Sequence, residues 1–450
     1  MEKELIQKKL PELYASGTLG IAPGKLKGDV FVPQSKSAAH RALILAFLSG
    51  DIELARIDET HVSDDIKATK RALIRMGEAI SKKSTPAGAF AAGLQNMLGE
   101  EPIEIDCKES GSTLRFLIPL AAVLGIPTKF VGSGRLPQRP IKEYEGVFAG
   151  SGADMIYLDE TGLSLPLLIK GQMKAGEYSL PGNVSSQYIS GLLMALSAAD
   201  GASRLNLTTE LESRPYVDMT CEVMRAFGVE VEEDSNGYAL SGAVKPNRKE
   251  PFEVEADYSQ AAFWLVARYL GSDIQLKNLP KSTAQGDRAI VDLLAGLSEA
   301  GKKSDMEGKK TVFEMDARDV PDLVPVFAIA AAATNCVTKI VHAERLRIKE
   351  SDRIASTAAM LTELGIRNTI TEDGLEIEGR SASVKDGKCF SGGTIDSCKD
   401  HRLVMASAVA AIAAEDTVRI KDPIAVEKSY PAFFEDYLNL GGSIYGINVG

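Results

Sequence analysis

The sequence predicts an α/β protein of more than one domain, assembled from a repeated helix, glycine and strand unit. Two observations lead there. The chain has 450 residues, 44% of them hydrophobic and 25% charged, enough for substantial apolar cores and long for a single domain. An amphipathic helical pattern, then Gly, then a short alternating strand recurs six times, around Gly77, Gly152, Gly228, Gly301, Gly365 and Gly441, at intervals of about 64 to 76 positions. Units of that length, each with helices and strands, suit packed βαβ-type groups better than a linear superhelix, and three plus three is the natural division.

The elements follow in turn. Each of the six glycines is expected to end its helix, because Gly takes up the left-handed backbone without a Cβ penalty. Ile118 to Gly125 and Val324 to Thr334 are the longest apolar runs and read as buried helices, well short of a membrane span. Pro33 directly follows the short apolar strand of DVFVPQSKS, and KEPFEVEADYSQ alternates before a helix expected over 257–268, so both segments are candidate crossings between domains. The charged opening dozen residues read as an added helix or tail.

Charge and cysteine usage narrow the function. A net charge of -11 argues against a general nucleic-acid or acidic-membrane binder, so cations that matter must cluster locally. Cys107, Cys221, Cys336, Cys389 and Cys398 never form C-x-x-C, which suggests neither disulfides nor a zinc site, and a reducing cytoplasm is the simplest setting. The opening MEKELIQKKLPELYASG has no apolar signal core.

Several strings place cations and hydroxyls just ahead of apolar helices. Arg345 to Arg353, RLRIKESDR, straddles a helix start where Ser351 or Asp352 could cap, and where the dipole favours an anion near Lys349 and Arg353. Ser35, Lys36, Ser37, His40 and Arg41 open the helix ALILAFL, and Lys36 and Arg41 could reach one anion. ESGSTLR around Gly111 precedes FLIPLAAVLG and could present backbone N–H groups to an oxyanion. Arg135 and Arg139 sit in a Pro-bounded loop, and Ser185, Ser186 and Gln187 precede ISGLLMAL. Asp322, in VPD before LVPVFAIAAAA, is expected to be desolvated, its pKa raised toward that of a useful base. Asp400, His401 and Arg402 precede another apolar helix, and Glu427 and Lys428 precede the last one. Each string alone is also compatible with a plain N-cap or a solvated turn. Together, with no Walker loop, zinc spacing or dinucleotide fingerprint, they describe a metal-free, cofactor-free site for strongly anionic small molecules.

In sequence order from about Gly20, the strings SKSAAHRA, SGSTLR, QRPI, VSSQY, ESRPYVD, QGD, VPD, LRIKESDR, DHR and EKSYP resemble the 5-enolpyruvylshikimate-3-phosphate synthase family of enolpyruvyl transferases. The resemblance implies a two-domain inside-out α/β barrel of six βαβαββ units, three per domain. The domains would be 1–32 with 256–450, and 33–255, crossing near 32–34 and 254–257 and closing over substrate. It implies transfer of the enolpyruvyl group of phosphoenolpyruvate to the 5-hydroxyl of 3-phosphoshikimate by a cytoplasmic monomer without cofactor, nucleic-acid or membrane partner. Carried over by position, 3-phosphoshikimate would meet Lys36, Ser37, Arg41, Ser185, Ser186, Gln187, Ser213, Asp322 and Lys349. Phosphoenolpyruvate would meet Lys36, Gly111, Arg139, Gln187, Arg353, Arg402 and Lys428. Asp322 would be the base, Glu350 the proton shuttle and Lys36 the stabiliser or acid at the leaving phosphate, the last two roles being exchangeable. Glu109, Phe116 and Gln34 depart from the family's usual Asn, Pro and Gly, while retained Gly111 keeps room for the family's inhibitor glyphosate. The rival readings are a UDP-N-acetylglucosamine enolpyruvyl transferase, against which the loop GSGRLPQRP lacks the reactive Cys, and a non-catalytic anion-binding homologue.

Overall fold

The computed structural model describes residues 10, 12–82, 101–380 and 387–446. Of the opening segment, residues 12–15 are helical, and 1–9 lie outside the described residues. The chain divides into two compact units, one of Met1–Pro33 with Ala256–Gly450 and one of Gln34–Glu255.

Within Gln34–Glu255, strands Ile103–Asp106, Thr128–Val131, Leu167–Gly171 and Ala153–Tyr157 lie side by side in that order. The first pair is parallel and the other two are antiparallel. Glu177–Leu180, Ser203–Leu207, Gly237–Leu240 and Glu232–Asp234 repeat the order and the directions. The parallel step needs a crossover, which the helices Gly111–Leu124 and Ser186–Leu196 supply. Alternation sets the buried face: Ile105, Phe130, Leu167 and Ile169 are almost fully buried. Gly111–Leu124 buries every residue but Ser112. Each Leu or Phe so buried contributes about 1.5–3 kcal/mol.

The other unit uses the same plan. Thr311–Asp316, Cys336–Val341, Leu375–Glu378 and Asn368–Ile370 form one such sheet. In the last sheet the order is Gly393–Asp396, Val418–Lys421, Thr18–Ile21 and Ile444–Gly446, so a strand from the chain's beginning completes a unit made at its end. Val324–Ala332 is buried throughout, as its apolar run predicts. Two parallel strand pairs remain, Ala55–Arg56 with Phe252–Glu253 and Lys27–Val30 with Asp273–Leu276. The helix expected over 257–268 is Tyr258–Tyr269, capped by Asp257.

The six glycines do not all end helices. Gly228, Gly365 and Gly441, with φ of 86°, 79° and 93°, directly follow their helix C-caps as expected, whereas Gly152 lies beyond the short helix Glu145–Phe148, whose cap Ala149 is followed by Gly150 at φ 75°. Gly77 lies inside Asp64–Lys82, and Gly301 lies inside Ile290–Glu307. There the missing side chain serves close packing instead: a Cβ on Gly301 would meet Thr334 Cγ2 at 2.7 Å, and one on Gly77 would touch Phe47.

Candidate active site

In Gln34–Glu255, three helix starts carry the predicted residues. Ser35 caps Lys36–Leu48, Ser110 caps Gly111–Leu124 and Ser185 caps Ser186–Leu196, each side-chain oxygen accepting a backbone N–H. Lys36 Nζ lies 2.9 Å from Asp65 Oδ2, with both side chains largely buried. Arg41 turns inward, 2% exposed, and donates to Thr220 Oγ1 at 2.6 Å, Ser37 O at 2.6 Å, Tyr216 O at 2.9 Å and Ser190 Oγ at 3.2 Å. All four acceptors are neutral, and burial lowers the guanidinium pKa to about 10. Lys36 thus pairs with a carboxylate, whereas Arg41 bonds neutral oxygens.

Gln187 is held at both ends of its amide. Its Oε1 accepts from Arg115 Nη1 at 2.8 Å, and its Nε2 donates to Ser112 Oγ at 2.9 Å. Arg115 also donates to Pro140 O at 2.9 Å and lies 5.2 Å over the Tyr188 ring. Pro140 adjoins Arg139, which is 7% exposed and rests against Gly111. Ser186 is buried, and Ser213 is buried with φ 55° directly before the helix Arg214–Ala226. The three departures from the family pattern have visible partners. Glu109 packs against Gly134, Phe116 lies 5.2 Å under the Arg41 guanidinium, and Gln34 bonds Arg56 O and the Asp58 N–H at 2.8 Å each.

The second cluster belongs to the other unit and centres on Asp322, in the short 3-10 turn Pro321–Leu323. Its Oδ1 accepts from Arg353 Nη1 at 2.9 Å and its Oδ2 from Arg402 Nη2 at 2.7 Å. Arg353, 1% exposed, also reaches Glu350 Oε2 at 2.6 Å and Asp400 Oδ2 at 2.7 Å. Asp400 is fully buried, caps His401–Ala411 by accepting from the Arg402 N–H at 2.9 Å, and accepts from Ser351 Oγ at 3.1 Å. Of the two expected caps for Arg353–Glu363, Asp352 serves, and Ser351 is turned to Asp400. Arg402 donates further to Ser259 Oγ at 3.1 Å. Lys428 Nζ donates to Lys399 O at 2.8 Å, and half-buried Lys349 adds positive potential at Asp322.

This geometry reverses the expected pKa of Asp322. Burial raises it as anticipated, but Arg402, Arg353 and Lys349 together outweigh burial, and the carboxyl is held well below the ordinary range. At the helix start, three carboxylates surround the Arg353 guanidinium. Asp65, Arg115 and Ser259 join the clusters without having been picked out from the sequence as site residues. Asp400, like Arg115, lay in a recognised string without a role. All four depend on partners far away along the chain.

The chain's likeness to known proteins is extensive. A family model described as EPSP synthase (3-phosphoshikimate 1-carboxyvinyltransferase) matches residues 21–437. The 3-phosphoshikimate 1-carboxyvinyltransferase of Clostridium acetobutylicum is 41% identical over 436 residues, covering 96% of this chain and 99% of the relative. The protein of the same name from Clostridioides difficile is 37% identical, covering 96% of this chain and all of the relative. The solved EPSP synthase from Acinetobacter baumannii superposes with a TM-score of 0.71 at 25% identity, covering 95% of this chain and 99% of that one.

Proposed function

The chain belongs to the EPSP synthase family, and from that premise we propose how its own residues carry out the transfer of an enolpyruvyl group from phosphoenolpyruvate to 3-phosphoshikimate in the shikimate pathway. The observation that carries the assignment is Asp322 gripped by Arg353 and Arg402: an ionised carboxylate stands among cations suited to an anionic donor.

The acceptor's 5-hydroxyl gives its proton to Asp322 as its oxygen attacks C2 of phosphoenolpyruvate. C3 receives a proton carried by Glu350, forming a tetrahedral intermediate. Expulsion of phosphate, stabilised by Lys36, and loss of a proton from C3 regenerate the enol ether of the product. Glu350 and Lys36 can exchange these proton roles. Arg139, Gln187, Arg353, Arg402, Lys428 and the backbone at Gly111 bind the donor together with Lys36. Lys36, Ser37, Arg41, Ser185, Ser186, Gln187, Ser213, Asp322 and Lys349 bind the acceptor.

Two carboxylate-plus-phosphate substrates bring several negative charges, too many to desolvate unpaired. Buried Arg41, whose hydrogen-bond acceptors among the described residues are neutral, supports the same reading, since a buried cation gains from an anionic ligand. The four sheets of identical strand order support the finer architecture, an inside-out α/β barrel of three βαβαββ units per domain. A cytoplasmic monomer open to glyphosate completes the proposal. Purified protein with phosphoenolpyruvate should release phosphate with 3-phosphoshikimate and not with UDP-N-acetylglucosamine. Release with the nucleotide sugar alone would overturn the reading, and binding of both substrates without turnover would make the chain a non-catalytic homologue.

A further inference from the structure

Asp322 is bound in a way that conflicts with the work of a base. Each of its oxygens takes a different guanidinium, Oδ1 from Arg353 and Oδ2 from Arg402. The arginine side chains are each 2% exposed, whereas Asp322 keeps 22% of its side-chain surface, so the carboxylate is the open end of the cluster. The other groups around it are Lys349, Glu350, Asp400 beyond Arg353, and Ser259 beyond Arg402. Arg353 would stay neutralised by Glu350 and Asp400 if Asp322 let go. A carboxylate spread across two arginines is also how a free carboxylate ligand would sit on them.

Resting on the reading that Arg353 and Arg402 bind the donor, we propose that Asp322 is an internal anion occupying the donor's place, and that phosphoenolpyruvate makes Asp322 a base by taking at least one of its arginines. Two effects then act in the same direction. Losing a guanidinium removes the interaction that favours the ionised carboxyl, and the incoming negative charge further disfavours it. The donor thus meets a competitor on entry, and the protein withholds base strength from the acceptor hydroxyl until the donor is bound.

The test is binding of phosphoenolpyruvate alone, by calorimetry, to the wild type and to Asp322→Asn. Removing the competitor should tighten binding about five- to tenfold while turnover with both substrates falls at least a hundredfold. Equal or weaker binding by a folded Asp322→Asn protein overturns the inference. Because loss of any nearby negative charge helps an anion, a second readout is needed. In wild-type protein labelled with carboxyl-13C aspartate, the Asp322 resonance, assigned by its absence from Asp322→Asn or, where that protein does not fold, from Asp322→Glu, should titrate at higher pH once phosphoenolpyruvate is bound. An unmoved titration overturns the inference even if the variant does not fold. Arg353→Lys and Arg402→Lys check the premise separately. If neither weakens donor binding, the site reading itself fails. If they weaken it while the Asp322 resonance stays put, only the exchange fails.

Discussion

A Cβ placed on Gly111 would lie 2.7 Å from Nη1 of Arg139 and 2.8 Å from its Cζ. The obstacle is the end of a flexible side chain rather than backbone, so a Gly111→Ala protein folds by moving the guanidinium. The expected outcome is a melting temperature within a few degrees of wild type and a KM for phosphoenolpyruvate raised about tenfold or more, from the ~1–3 kcal/mol typical of overpacking and of a displaced charge-assisted bond. Steady-state kinetics with each substrate varied will check it. A KM shift confined to 3-phosphoshikimate would remove Arg139 from the donor site.

Lys36 and Asp65 form the corresponding pair on the neighbouring helix start, 2.9 Å apart with side chains 17% and 14% exposed. The carboxylate fixes where the ammonium points, so Asp65→Asn should lower kcat about tenfold while changing either KM by less than threefold, a loss of ~1.4 kcal/mol felt mainly in the transition state. A raised KM with unchanged kcat would restrict Asp65 to ground-state binding.

Local chemistry was well expressed in the sequence. Ser35, Ser110, Ser185, Asp352 and Asp400 each precede an apolar run and each caps a helix. The order of the cationic strings was enough to identify the family, which the family model matches over 21–437. What local reading could not supply was pairing at a distance. The acid–base state of Asp322 follows from Arg353, 31 residues away, and Arg402, 80 away. Asp65 is 29 residues from Lys36, and Asp400 is 47 from Arg353. Gly77 and Gly301 failed for a related reason. Glycine ends a helix or admits a close neighbour, and only the fold shows Thr334 against Gly301.

The depressed pKa of Asp322 predicts a pH dependence of stability with a definite sign. Its folded pKa lies below the unfolded value near ~3.9. The unfolded chain therefore binds the proton first as pH falls, and the stability this carboxylate contributes is complete above about pH 5 and lost progressively below about pH 4. Denaturant midpoints measured from pH 7 to pH 3 should fall more steeply for wild type than for Asp322→Asn, with the gap narrowing at the acid end. Parallel curves would show that Asp322 is not held ionised by its arginines.

Arg353 has a structural duty larger than any single contact with substrate. It is the cation common to Asp322, Glu350 and Asp400, at 2.9, 2.6 and 2.7 Å. Those carboxylates raise its pKa despite burial, which alone would lower it. Arg353→Ala leaves three carboxylates beside a small cavity, one of them, Asp400, with no exposed side-chain surface. Breaking a buried pair from one side costs about 3–5 kcal/mol, because the remaining charge is neither solvated nor matched. Thermal and urea denaturation should show that loss at pH 7, with activity abolished. The deficit should shrink between pH 7 and about pH 5 if a buried carboxyl that has lost Arg353 takes up a proton in the folded state before it would in the unfolded chain. A deficit constant across that range would mean that Arg353 is held by packing, and that its three carboxylates find other cations when it is gone.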